Sequence, residues 1–220
     1  MVRKTKEDAE LTRQRLIDAA REVFLQRGVS RTTIEHIAAA AGVTRGAVYW
    51  HFSNKTELFR AMREQVLLPL IDRMDDTLLV EGTEDPLARI ERFLSGTIQF
   101  LSEDMATRQT YEIMMIKCEY VDEFAEVLPQ ILQTCSGIIE KIRLTYERAK
   151  IKGLLRDDAD PASLAMDTHL FFTGLLHMWV KDSGNGIYRQ QAHELIKAHV
   201  DLRRRLSKRC SNEKLLSAFA

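Results

Sequence analysis

Arg45, Gly46, Tyr49 and Trp50 place a cation, a residue without a side chain and two aromatics within one short stretch. If Val48 and Phe52 face inward on a helix there, these four form its outward side. A guanidinium can donate two parallel hydrogen bonds to O6 and N7 of guanine, and a glycine lets the backbone approach a base edge. The hydroxyls of Thr33, Thr44 and Ser53, with helix N-terminal N–H groups, suit phosphate oxygens. The chemistry on offer is recognition of duplex DNA by a helix in the major groove. The competing reading is a structural helical hairpin whose aromatics pack on a neighbour.

Catalytic chemistry finds no comparable cluster. The sequence has no glycine-rich phosphate loop, no His-Glu-x-x-His and no Gly-x-Ser-x-Gly. Asp75-Asp76 and Asp157-Asp158 are sequence neighbours, not a converging acid/base pair. His169 and His177 lie about 80° apart around an ideal helix, which is not metal-ligand spacing. Cys118, Cys135 and Cys210 lack metal spacing and are too scattered for a disulfide framework. These readings predict no enzyme, no metal and no cofactor. A non-enzymatic helical scaffold remains the rival to a DNA-binding regulator.

The elements that must hold the outward residues follow from the apolar period. Leu16, Ala20, Val23 and Phe24 form one stripe, closed by Gly28 as a left-handed C-terminal residue. Thr32 and Thr33 can cap a second helix that buries Ile34, Ile37, Ala38 and Ala41. Gly42-Val43-Thr44 allows only a tight turn, and Thr44 can cap a third helix over about residues 45–51. Ser53 and Asn54 break and recap the chain before a long helix with Leu58, Met62 and Val66 on one side. Further helices are predicted over 86–103, 107–117, 122–151, 161–181 and 187–206. Pro129 is either a break or a late start, and Asp85-Pro86 and Asp160-Pro161 read as N-caps followed by proline. Pro69 falls inside the fourth helix, where it either bends it or ends it.

Composition agrees with an all-α chain. Among 220 residues, 10 Gly and 4 Pro leave little punctuation for a many-stranded β fold. A hydrophobic share of 45% can fill a core and argues against disorder. The formal charge is zero, yet residues 1–60 hold eleven cations against seven anions, so the remainder carries the opposite excess. A basic head on an acidic body suits a polyanion at the head, although ordinary solvated charge gives the same count. Val66–Ile71 and Leu170–Val180 are too short for a membrane span, and the polar N-terminus is unlike a signal peptide. A cytoplasmic chain without membrane partners is expected.

The run from Thr32 to Phe59, with Arg3–Glu7 and Ile17–Phe24 upstream, resembles the DNA-binding signature of TetR-type transcriptional repressors. Its Gly42-Val-Thr-Arg-Gly-Ala-Val-Tyr-Trp-His-Phe52 form resembles the AcrR-like branch, which represses multidrug efflux operons. The resemblance implies that Arg45 and Gly46 approach base edges, that Thr33, Thr44, Tyr49 and His51 hold phosphates, and that Lys55 contacts the flanking phosphate. Trp50 would touch a sugar or thymine methyl, or only pack. It also implies a division into a three-helix helix-turn-helix domain over 1–54 and a ligand-binding and dimerisation domain over 55–206, about nine helices in all. Residues 207–220 read as a mobile tail.

The resembling family pairs through its last two long helices, here 161–181 and 187–206. The expected partners are thus double-stranded operator DNA, a second copy of the chain and a small hydrophobic inducer. Phe93, Phe100, Tyr111, Met114, Met115, Cys118, His169, Phe172 and Thr173 mix aromatic and sulfur groups with few polar ones, as ligand cavities do. Several would serve equally well as core. A TetR-like regulator of a metabolic operon is the alternative within the family.

Overall fold

The computed structural model describes residues 6–80, 82–182, 184 and 186–205. Among them the elements are α1 (Lys6–Arg27), α2 (Ile34–Ala41), α3 (Arg45–His51), α4 (Lys55–Met74), α5 (Pro86–Glu103), α6 (Met105–Glu112), α7 (Val127–Ile151), α8 (Pro161–Lys181) and α9 (Ile187–Asp201). Two π-helical turns, Asp75–Leu79 and Ile113–Lys117, and a 3₁₀ turn, Asp122–Phe124, complete them. The chain forms two compact units: residues up to 72 with 99–134, and 73–98 with everything from 135 onward. The division read from sequence, at 54/55, falls inside the first unit.

In the first unit the predicted stripes meet. Leu16, Ala20 and Phe24 of α1, Ile37 and Ala38 of α2, Val48 of α3, and Leu58, Phe59 and Met62 of α4 are buried in one cluster. Phe59 stands edge-on to Phe24 at 6.1 Å and to Phe124 at 5.3 Å, so the 3₁₀ turn belongs to the same core. Gly28 (φ +79°) ends α1 and Gly42 (φ +65°) ends α2, both in the left-handed region where a Cβ is strained. Arg21, buried on α1, donates to Thr110 Oγ1 of α6 at 3.2 Å, and the Val29 N–H donates to the Lys117 carbonyl at 2.9 Å.

Several helix ends differ from expectation. Asp104 caps α6, accepting the Thr107 N–H at 2.8 Å, so the helix predicted over 107–117 starts earlier and ends in a π turn. The helix predicted over 122–151 begins at Val127. Pro129 therefore sits in its first turn, where no N–H has an intrahelical acceptor. Pro69 does not end α4, which continues to Met74 with Pro69 exposed. α9 stops at Asp201, short of the predicted 206, and the tail at 207–220 lies outside the described residues.

The second unit buries a polar chain. The Tyr146 hydroxyl lies 2.7 Å from Thr168 Oγ1, which lies 3.0 Å from His199 Nε2. Phe171 stacks on the His199 ring at 3.9 Å, and Arg203 bonds both the His199 carbonyl and Asp167. Burial, with the neighbouring Arg203 cation, lowers the His199 pKa to about 4. The unfolded imidazole titrates near 6.5, so between these values only the unfolded chain takes up the proton. Stability is full above that window and falls as pH drops through it. Urea unfolding at pH 7 and pH 5 should differ by about 2 kcal/mol from this group. His199→Gln should flatten that difference; an unchanged difference would place its origin elsewhere.

Candidate nucleic-acid interface

α2, a tight turn and α3 form the reading unit, and each start is fixed by a side chain. The Thr33 hydroxyl accepts the His36 N–H at 3.4 Å, while His36 Nδ1 accepts the Thr33 N–H at 3.3 Å. This reciprocal box satisfies two orphan donors and gives His36 a capping role. Thr44 Oγ1 accepts the Ala47 N–H at 3.2 Å and starts α3. Asn54 Oδ1 accepts the Glu57 N–H and the Glu57 carboxylate accepts the Ser53 N–H, starting α4.

Val48 and Phe52 are buried, which turns Arg45, Gly46, Tyr49 and Trp50 to the surface. Trp50 is 70% exposed, an unusual state for so large an apolar surface. Arg45 Nη1 pairs with Glu35 at 2.7 Å, Nη2 donates to the Tyr49 hydroxyl at 3.2 Å, and the guanidinium lies 5.3 Å from the Tyr49 ring centre. The Glu35 carboxyl is held below its ordinary range by its own backbone N–H and the Thr33 hydroxyl, and further by Arg45. A Cβ on Gly46 would meet only Thr44 Oγ1, at an ordinary 3.8 Å. Glycine within a helix costs about 1 kcal/mol relative to alanine. The space over Gly46 is open, so the backbone of α3 is accessible there.

Thr33 and Thr44 are exposed and His51 is half-buried, its ring 4.5 Å from that of Trp50. Lys55 corrects the sequence reading. Its side chain is buried, and Nζ donates to the carbonyls of Val29 and Thr32 at 3.0 Å each and pairs with Glu123 at 2.8 Å. Three oxygens occupy the three protons of an ammonium, so this side chain holds no phosphate here. Burial of a Lys at a helix start has no periodic signature, and Glu123 is too distant in sequence to have been paired with it.

The ligand candidates separate. Met114 and Cys118 pack against the first unit's core, and the Met114 carbonyl accepts the Tyr120 hydroxyl at 2.7 Å. Burial pushes the Cys118 thiol up to about 11. Tyr111 is buried and Phe100 and Met115 are half-buried in that unit. In the second unit Phe93 and Phe172 are buried, and burial lowers the pKa of half-buried His169. Thr173 is not in a lining position: it is exposed, on the α8 side that carries Met166 and Leu170. Among the described residues, no three His, Cys, Asp or Glu side chains are grouped to hold a metal, and no helix is long and apolar enough to cross a membrane.

A helix-turn-helix with an exposed cationic and aromatic reading face, followed by a helical body, defines a DNA-binding transcriptional regulator. Residues 16–62 match the family described as bacterial regulatory proteins, tetR family, and residues 85–204 match the C-terminal region of MAATS-type transcriptional repressors. The chain is 38% identical over 184 residues to the HTH-type transcriptional regulator TtgR of Pseudomonas putida, covering 82% of this chain and 85% of TtgR. The crystal structure of NalD, the secondary repressor of the MexAB-OprM multidrug efflux pump in Pseudomonas aeruginosa, superposes with a TM-score of 0.81 at 33% identity, covering 91% of this chain and 99% of NalD. A complex of triclosan with SmeT, the repressor of the Stenotrophomonas maltophilia multidrug efflux pump SmeDEF, superposes at 0.77 with 29% identity over 89% of this chain and 92% of SmeT. The chain belongs to the tetR family of bacterial regulatory proteins.

Proposed function

We propose that this regulator binds a palindromic operator as a homodimer in the cytoplasm, represses a multidrug efflux operon, and is released by a small apolar or amphipathic ligand. The observation that carries the DNA reading is the outward face of α3, where Arg45 and Gly46 present a guanidinium beside open backbone. Arg45 and Gly46 read base edges, with Trp50 beside them; Thr33, Thr44, Tyr49 and His51 hold phosphates. Efflux control is supported by NalD and SmeT, and ligand release by the triclosan that SmeT binds.

Pairing is supported by two exposed strips. Met166 and Leu170 lie outward on α8, and Tyr188, Leu195 and Leu202 lie outward along α9 and its end. Exposed apolar residues repeated along one side of each helix suit an interaction face, and a two-fold pair would present two reading helices to successive half-sites. Phe93, His169 and Phe172 of the second unit are the ligand residues we favour. A half-buried imidazole whose pKa is lowered by burial can orient an amphipathic guest.

The test begins with the DNA upstream of the protein's own gene. The purified protein should retain a fragment of it, with affinity falling steeply as salt rises, and should scatter light as a particle of twice 25.3 kDa. Triclosan is the first release probe. If it releases the fragment, linkage requires operator DNA to weaken triclosan binding by the same factor. Calorimetry giving equal triclosan affinities with and without operator would exclude allosteric release. A monomer at micromolar concentration that still binds the fragment tightly would exclude the paired reading.

A further inference from the structure

Lys55 and Glu123 meet at the point where three segments of the first unit converge. Lys55 is the first residue of α4, and three residues separate it from the end of α3. Its ammonium is shared by the Val29 and Thr32 carbonyls, which bracket the turn between α1 and α2, and by the Glu123 carboxylate in the 3₁₀ turn before α7. The next residue, Thr56, donates its hydroxyl hydrogen to the Glu123 carbonyl at 3.1 Å. The Lys55 ammonium also lies 5.3 Å from the ring centre of Phe124, which packs on Phe59. The N–H of the same Val29 donates to the Lys117 carbonyl. Residues 117–124 therefore grip the helix-turn-helix at two backbone points and one ion pair.

Two further features show that this connector is held rather than merely resting there. Asp122 has φ +49°, a left-handed conformation that residues with side chains rarely adopt and that surrounding bonds must maintain. The Lys55 side chain is only 9% exposed, so its charge has little water to fall back on if Glu123 withdraws. Glu123 itself is half-exposed and lines, with Ser53, Asn54 and Asp122, a polar cleft of about 530 Å³.

We propose that Lys55 and Glu123 are positioning residues for operator recognition: their ion pair locks the start of α4 and the turn before α2 to the 117–124 connector and so sets the pose of α3. α3 has only seven residues and a single fully buried side chain within it, Val48. It cannot set its own orientation and takes it from α2 and from the start of α4. A displacement of the connector reaches Arg45 through this joint.

Glu123→Gln, Lys55→Met and the double variant are compared with wild type. The probes are the retained upstream duplex and a random-sequence duplex of equal length. Simple electrostatics makes Glu123→Gln bind DNA more tightly, because a negative charge is removed. Positioning gives the opposite sign: about a five- to fiftyfold loss on the upstream duplex, within the usual range of coupling between sites, and little change on the random one. Lys55→Met should lose a similar factor with the salt slope unchanged, whereas a phosphate-contacting lysine would flatten the slope by about one per protomer. The double variant should be no weaker than the weaker single one. Hydrogen exchange of the α3 amides in DNA-free protein reads the same joint without any operator and should quicken in both single variants.

Should Lys55→Met fail to fold, Glu123→Gln decides alone, since it leaves Lys55 bonded to two carbonyls. A flattened salt slope in Lys55→Met, or a folded Glu123→Gln with wild-type exchange in α3, overturns the proposal. If wild type retains no upstream duplex, the operator reading fails while the exchange result still decides this one.

Discussion

Arg45→Ala should weaken operator binding by about 1–3 kcal/mol at each half-site. Over a two-fold operator this is about thirtyfold to twenty-thousandfold, among the largest effects expected of a surface substitution. The guanidinium lies at the surface with Glu35 on one side and Tyr49 on the other, so its planar fork is oriented before DNA arrives. Little conformational entropy is then left to lose on binding. Lysine lacks the fork, so Arg45→Lys should recover little of the loss. Anisotropy titrations against operators substituted one base pair at a time should show specificity relaxed at one position per half-site. A uniform loss on every sequence would make Arg45 a phosphate contact.

Phe59→Ala should destabilise the protein by about 3–5 kcal/mol. Phe59 is fully buried, with edge contacts to Phe24 of α1 and Phe124 of the 3₁₀ turn. The truncation removes two aromatic pairs as well as transfer free energy, and the helices around it cannot close the space. Against a total stability of about 5–15 kcal/mol, such a loss removes a third or more. Urea unfolding measures it, and Phe124→Ala should show a similar loss because both rings belong to one core. A cost under about 1 kcal/mol for Phe59→Ala would mean that the core repacks freely and that residue 124 is not part of it.

Features governed by neighbours in sequence were legible, and features governed by distant partners were not. The caps at Thr33, Thr44, Asp85 and Asp160, the turn at Gly42 and the inward pair Val48 and Phe52 follow from local bonding and apolar period. All are present. The π turns after α4 and α6 are not legible, because one extra residue in a turn barely disturbs that period. The phosphate role of Lys55 is implied by the family resemblance alone, which says nothing of the residue's distant partners in this chain. Only the Glu123 carboxylate and two carbonyls decide otherwise. The ligand candidates rest on side-chain chemistry, which does not separate a wall from a core, and Met114 and Cys118 pack, partly buried, against the core.

The chain has two tryptophans, and the fold puts them in opposite surroundings. Trp50 stands on the reading helix in water, beside the His51 ring. Trp179 is buried in α8 of the other unit, 2% exposed, with the Arg189 guanidinium 4.6 Å from its ring centre. The protein thus carries two native optical probes, one emitting from a polar environment at longer wavelength and one from an apolar environment at shorter wavelength. Replacing either with phenylalanine leaves a single-colour version of the regulator. If α3 meets DNA as proposed, Trp50 alone reports on arrival and departure there; Trp179 alone reports on the second unit, and neither needs an attached dye.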